Sequence, residues 1–480
     1  MADFTYDDAA HLLRRAGFGG SPQEIEETTA LGRDGAVDRL INFAQIDNGA
    51  LEAVIRASFD LSNPDDITRF NREEIQRWWL TRMVLTKRQF EEKLTLFWHN
   101  HFATAASKVD ERFMFVQNQT LRIHALDRFD ALLLKIARDP AMLIWLDGIT
   151  NVRSNPNENW ARELQELFSM GITDVVTGEQ NYTEGDVKEI ARAFTGWTIS
   201  PPARTDPNRF NFQFVVDPNQ HDSALKTVYG QTANFSGEDI VALISARRST
   251  ARFIARKFFE FFAYPLSASS TDRATIEKFA DVYVASDHSI KALARAIFTS
   301  DEFFSARARF ALVKSPIEVV VGSIRMLGAS YNPGSIQRDA SSILPAVCAF
   351  LNQEPFNPPD VAGWRPNLAW INTATMLNRF TFADLLASSR SPDPTAPGLS
   401  LTHEQLKRLT KGNAKKTVNS FLSVLGPLEV DSSTVKKLRE YLQKDATGRI
   451  VGFSPDDPTI DKKVRGLVHL IMCLTEFQVC

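Results

Sequence analysis

A chain of 480 residues, 44% hydrophobic and 24% charged, can bury a large core, enough for two or three packed regions or one large helical domain with insertions. Its formal net charge of −3 gives no support to nonspecific nucleic-acid binding, and no apolar run approaches the roughly 18 to 20 residues of a membrane span. The three cysteines, Cys348, Cys473 and Cys480, are too scattered for a disulfide framework, a zinc ribbon or a CxxC redox site. The first residues are acidic and lack an apolar h-region, so no secretory leader is expected and the cytoplasm is the default compartment. A chain trimmed of its leader would read the same way.

Helical periodicity dominates from the start: residues 6–16, 22–44, 69–102, 111–138, 157–170, 184–197, 237–263, 271–304, 315–328 and 339–352 all repeat apolar residues at 3.6-type spacing. Ser21-Pro22-Gln23-Glu24 supplies a cap, a proline at the first helical position and the glutamate of a capping box. Thr183-Glu184-Gly185-Asp186 is a variant of the same signal. Between 198 and 230 the pattern changes: prolines accumulate, and Phe210, Phe212 and Phe214 alternate with polar residues, which reads as a short β-ribbon in a loop. The stretch 353–372, with Trp364, Trp370 and several prolines, is a long aromatic loop of the sort that often carries function. Residues 389–400 read as a linker, and 401–480 add amphipathic helices that pack back on a main domain of residues 1–388. The expected fold is mainly α: a large multi-helix globular fold with a small β-ribbon insertion.

Candidate chemistry gathers in four places. In Phe97-Trp98-His99-Asn100-His101-Phe102 two histidines sit in an aromatic run, with Phe90, Leu94, Phe97, Trp98 and His101 on one helical face. Histidines two apart on a helix point about 200° apart, so they cannot share a metal unless the helix ends there. A His-Asn-His nuclease site would need a ββα setting, which this helix does not offer. His101 is either a core histidine bonded to a carboxylate or carbonyl, or a catalytic or ligating group. In Asn157–Phe168, Glu158, Arg162 and Glu166 are spaced four apart for ion pairs, and Glu163 lies on a neighbouring face; a structural ion-pair network and an active site are both open. His221-Asp222 follows the ribbon as a loop pair suited to acid/base work or metal ligation, or to a turn stabilised by Asp222. Trp364 and Arg365 could stack on a ligand or pin their loop to the body, and Asn372 should cap the helix that follows. No Walker A, GxGxxG, GxSxG or HExxH motif is present.

Taken together, His11–Gly19, Phe97–Phe102, Asp139–Leu143, Asn157–Leu164, Tyr182–Val187, Ala193–Trp197, His221-Asp222, Phe253–Lys257, Lys314–Pro316, Pro359–Trp364 and Glu476–Gln478 resemble, in order and over nearly the whole chain, the bacterial family called domain of unknown function 1800. Two departures stand out: Arg248-Ser249-Thr250 replaces a frequent His-Pro-Ala, and Glu163-Leu164-Gln165-Glu166-Leu167 replaces the usual Glu-Leu-Leu-Glu-Leu. The resemblance implies a mostly helical bacterial protein, commonly encoded beside an alkaline-phosphatase- or sulfatase-like family. It brings no established activity or cofactor.

The leading expectation is an enzyme whose pocket gathers His101, Glu163, His221 and Asp222 as catalytic groups, with Arg162, Trp364 and Arg365 binding substrate. Metal-assisted hydrolysis or oxidation, with His99, His101, Glu158 and His221 as ligands of a divalent metal, and metal-free acid/base catalysis both suit such a set. The alternative is a non-catalytic partner, maturation or scaffold protein for the phosphatase- or sulfatase-like neighbour. The first requires His101, His221 and Glu158 or Glu163 to converge on one open pocket; the second requires a large exposed apolar patch.

Overall fold

Local capping chemistry sets where many helices begin. Ser21 accepts from the amide of Glu24 while the Glu24 carboxylate returns to the amide of Ser21 at 2.8 Å, and Thr183 with Asp186 repeats the arrangement. The Asn372 side chain caps Thr373–Ser388, as its position suggested. The longer periodic segments prove to be pairs of helices. Residues 22–44 break at Gly32 (φ +65°) into Pro22–Ala30 and Gly32–Ile41. Residues 271–304 break at Asp287 and His288, both in the left-handed region, and residues 69–102 break at 86–88 into Arg72–Leu85 and Gln89–His101. Apolar periodicity runs on through such breaks because both members of each pair bury an apolar face.

In the computed structural model the described residues are 4–480 apart from 60–70, 202, 204, 206–211, 335–342, 391–396, 446 and 457–459. They form twenty-two α-helices and three two-stranded antiparallel sheets, a mainly α fold. The ribbon expected near 198–230 pairs Trp197–Ser200 with Gln213–Val216, Trp197 opposite Val216, and is followed by the hairpin Lys226–Val228 and Gln231–Ala233. Phe214 packs edge-on to Trp197 at 4.7 Å and Phe212 to Phe113 at 4.6 Å, while Phe210 lies outside the described residues. The first residues of the segment 339–352 also lie outside them, and its helix is described from Ile343 to Phe350. No described helix is long and apolar enough to cross a membrane.

Two apolar cores flank the helix Gln89–His101. One takes Phe90, Leu94, Phe97 and Trp98 of that helix with Phe129, Phe168, Phe258 and Phe262. The other takes Leu96 with Trp78, Trp79, the helix Pro316–Leu327 and the C-terminal helices through Phe477. Ser330–Asn332 pairs with Gly398–Ser400, and the amide of Cys480 donates to the carbonyl of Leu312 at 2.8 Å, so residues beyond 397 are stitched to earlier ones. Every residue of Gln89–His101 except Asn100 is buried, including Glu91, Glu92 and Lys93. Buried charges need partners. Glu92 accepts from Trp79 Nε1 (3.0 Å), Arg82 Nε (3.0 Å) and both Nε and Nη2 of Arg122 (2.8 Å each). Burial pushes the Glu92 carboxyl up, but Arg122 and Arg82 outweigh it and hold it at about 2.

Candidate functional site

One stripe of Gln89–His101 carries Lys93, Leu96, Phe97, Asn100 and His101, the spacing of neighbours on a helical face. At its first turn the Lys93 ammonium pairs with Glu318. Glu318 also meets Arg15 Nη1 at 3.5 Å and closes a capping box by accepting from the amide of Ser315 at 2.7 Å. Burial raises the Glu318 carboxyl, but Lys93 and Arg15 together take it down to about 2. Arg15 spends its remaining donors on the carbonyls of Phe262 (3.1 Å) and Phe261 (2.6 Å) and on Cys480 Sγ (2.6 Å). This base is closed chemically: Arg15 and Lys93 share the Glu318 carboxylate.

Above it opens a cleft of about 350 Å³, between the end of Gln89–His101, the helix Arg248–Phe262 and the loop 362–370. That volume suits a small organic ligand. His101 lies on its wall. Its Nε2 is 3.0 Å from the carbonyl oxygen of Phe168. A carbonyl can only accept, so Nε2 carries the hydrogen and Nδ1 presents a lone pair. That Nδ1 is buried and has no partner among the described residues. Burial, with the Lys257 ammonium nearby, holds the imidazole well below its ordinary value, so it is neutral at pH 7. Glu260 lies on the same wall; its Oε1 accepts from Arg256 Nε and from the amide of Leu266, both at 3.0 Å, and its second oxygen makes no hydrogen bond with a described residue.

The loop is seated by backbone contact. Asn100 Oδ1 accepts from the amide of Trp364 at 2.6 Å, and Asn100 Nδ2 donates to the Trp364 carbonyl at 3.3 Å. Gly363 has φ +79°, and a Cβ there would fall 2.4 Å from both Asn100 O and Asn100 Oδ1. Only glycine permits both the conformation and the approach. The seating directs Trp364 onto His99, ring centroids 5.6 Å apart, and sets Trp370 and the exposed Arg365 along the cleft.

Of the catalytic, substrate-binding and metal-ligating residues expected from the sequence, the cleft thus unites His101, Trp364 and Arg365. It does not take in the others, and the four-residue catalytic pocket expected from the sequence does not form. His221 Nδ1 bonds the Thr195 carbonyl at 2.8 Å, while Asp222 accepts from Arg192 Nε at 2.7 Å and from the Ala224 amide at 2.9 Å. Arg162 reaches Glu158 at 3.2 Å and Glu184 at 2.7 Å on the outer side of Asn159–Glu166, and half-buried Glu163 lies on that helix with its carboxyl raised by burial and by Glu166. His99 faces the second core, edge-on to Trp79 at 5.2 Å and Phe356 at 5.5 Å, and burial alone takes its imidazole to about 3. The two histidines therefore point apart, as helical geometry requires. His99, His101, Glu158 and His221 do not assemble as a ligand set, and among the described residues no three His, Cys, Asp or Glu side chains gather to hold a metal ion.

Sequence reasoning missed Lys257, Glu260, Gln353 and the Arg15–Glu318–Lys93 base. A signal existed for two of them: Lys257 ends the stretch Phe253–Lys257 and Arg15 lies within His11–Gly19, both already conspicuous. No curated protein and no solved structure matches the chain. The family model described as Protein of unknown function (DUF1800) matches residues 11–479, and the chain belongs to that family.

Proposed function

We propose that the protein is an enzyme that carries out acid/base chemistry, hydrolysis in the first place, on a small molecule held in the cleft at the end of Gln89–His101. The observation that carries this reading is His101: a neutral imidazole on the wall of a ligand-sized cleft, its tautomer fixed by the Phe168 carbonyl and its buried Nδ1 without a partner among the described residues. In this reading the attacking water gives one proton to the second Glu260 oxygen, the general base, while its other hydrogen bonds His101 Nδ1. The His/carboxylate pairing expected from the sequence is kept, with Glu260 in place of Glu163, His221 and Asp222.

The test is turnover of a panel of small carboxylic, phosphate and sulfate esters by the wild type, His101→Gln and Glu260→Gln. Loss of a positioned acid or base costs about 10²–10⁴-fold, so turnover of at least one class should fall by about a hundredfold or more in both variants while circular dichroism stays unchanged. Equal turnover in all three proteins, or none by the wild type across the panel, overturns the reading.

A partner or scaffold role for a phosphatase- or sulfatase-like protein is favoured by one other feature. Phe350, Leu368 and Leu377 are 70%, 78% and 64% exposed, and Asn378, next to Leu377 in the chain, donates through Nδ2 to the Phe350 carbonyl. Sedimentation of the purified chain with that neighbour, repeated with Phe350→Ser and Leu377→Ser, tests it; a complex unaffected by either variant, or none at all, counts against it.

A further inference from the structure

The cations in and behind the cleft can be accounted for one at a time, and one is left over. Arg15 and Lys93 share Glu318, Arg256 holds Glu260, and Arg379 donates to Gln478 Oε1 and the Lys314 carbonyl. Arg365 is exposed and hydrated. Lys257 is half-buried on the cleft wall, with no ion pair and no hydrogen bond to any described residue; the Phe253 ring lies 5.2 Å from its ammonium, and the Glu260 carboxylate acts on it from beyond ion-pair distance. A half-buried ammonium against aromatic walls without an acceptor is only partly solvated, which is costly. The cleft supplies a second unused donor, since Gln353 accepts from the Ile317 amide through Oε1 at 3.0 Å and its NH2 bonds no described residue. Around these donors stand Phe97, Phe261, Trp364 and Trp370.

We infer that the cleft recognises a small organic acid, an oxyanion on an aromatic or branched apolar body, with Lys257 as the counter-ion of the oxyanion and Gln353 as a further donor. The apolar body lies among Phe261, Trp364 and Trp370, and the atom to be activated lies toward His101. This rests on the cleft being the enzyme's site, as proposed above, and adds what the substrate must carry. Burial lowers the Lys257 ammonium to about 8, with Glu260 pulling it back up. The ammonium is therefore still mostly charged at pH 7, and recognition should fade as pH rises through about 8. The charged and titratable groups around it are Arg256 and Glu260 on its own helix, His101 across the cleft, Arg365 on the loop and the Arg15–Glu318 pair at the base. Of these, His101 is already neutral and Glu318 already ionised across that range.

The experiment is titration of the full chain with phenylacetate, phenyl phosphate and uncharged 2-phenylethanol, followed by calorimetry or ligand-observed NMR at pH 7 and pH 9.5. At least one acid should bind about tenfold or more tightly than the alcohol at pH 7, the usual worth of a hydrogen bond to a charged group. Which acid wins tells carboxylate from phosphate. The preference should vanish at pH 9.5 and in Lys257→Met, and persist at both pH values in Lys257→Arg. An alcohol bound as tightly as the acids, or an acid preference intact in Lys257→Met, overturns anion recognition while leaving the cleft a ligand site. Binding of none of the three overturns both readings.

Discussion

Glu92, fully buried, and Lys257, half-buried on the cleft wall, are both charged groups set among aromatic rings, yet the protein treats them in opposite ways. Around Glu92 four donor atoms from Trp79, Arg82 and Arg122 close on one carboxylate, and no lone pair is wasted. Around Lys257 there are the cleft, the face of the Phe253 ring and, beyond ion-pair distance, the Glu260 carboxylate. A satisfied buried charge fixes packing; an unsatisfied one beside a cavity holds a place for something else. The polar surface near Asp222 is a third case, paired with Arg192 but wet.

The contrast breaks most sharply at Glu92. Glu92→Gln leaves Arg122 as a buried cation facing a neutral amide and Arg82 with Glu52 alone, and should cost about 3–5 kcal/mol in urea denaturation. A cost under about 1 kcal/mol would mean that the cluster is not what holds these helices together.

The next largest effect is in pH dependence. The His99 imidazole is held at about 3 in the folded chain against an ordinary 6.5. Between those values the unfolded chain binds the extra proton, so stability is lost as pH falls below 6.5. Glu91 and Asp139, both raised by burial to about 7, act in the opposite sense and mask part of the slope. The difference between wild type and His99→Leu isolates it: their stability gap should move in favour of the variant by on the order of 3 kcal/mol between pH 7 and pH 4. A gap independent of pH would show that His99 takes up no extra proton on unfolding.

At Lys257 the sign reverses. Lys257→Met removes an ammonium without a partner and adds apolar contact, so it should leave stability unchanged or raise it by up to about 1 kcal/mol. A loss of more than about 1 kcal/mol in thermal or urea unfolding would show that Lys257 is paired in solution after all. Least should happen at the wet pair: Asp222→Asn should cost less than about 1 kcal/mol and leave binding in the cleft untouched.

Much of the frame could be read from the residues. The mainly α fold, the caps at Ser21, Thr183 and Asn372, and the ribbon after Trp197 follow from period and turn chemistry, which are local. The divergence of His99 and His101 is also local, a matter of 100° per residue. What answers each histidine is not. The partner of His101 is a backbone carbonyl at Phe168, and a carbonyl is present at every position of every sequence. Lys257 and Glu260 belong to an amphipathic helix in which a lysine and a glutamate three apart look like ordinary surface residues. The dense run Asn157–Phe168 misled for the converse reason: Glu158 and Arg162 are four apart, and that spacing is satisfied by pairing with each other.

Gly363 carries a consequence for how this protein can vary. Its bare Cα rests against Asn100 like a key in a lock, where a methyl group would collide with a backbone oxygen. The loop can therefore be engaged in one register only. Inserting or deleting a single residue between 353 and 363 would bring a side chain to the slot, lift Trp364 from His99 and tip a whole wall of the cleft outward. Length changes in that stretch should be far less tolerated than changes of side chain at exposed Ala362 or Arg365. The position that most tightly controls the shape of the cleft is the one that contributes no side chain to it.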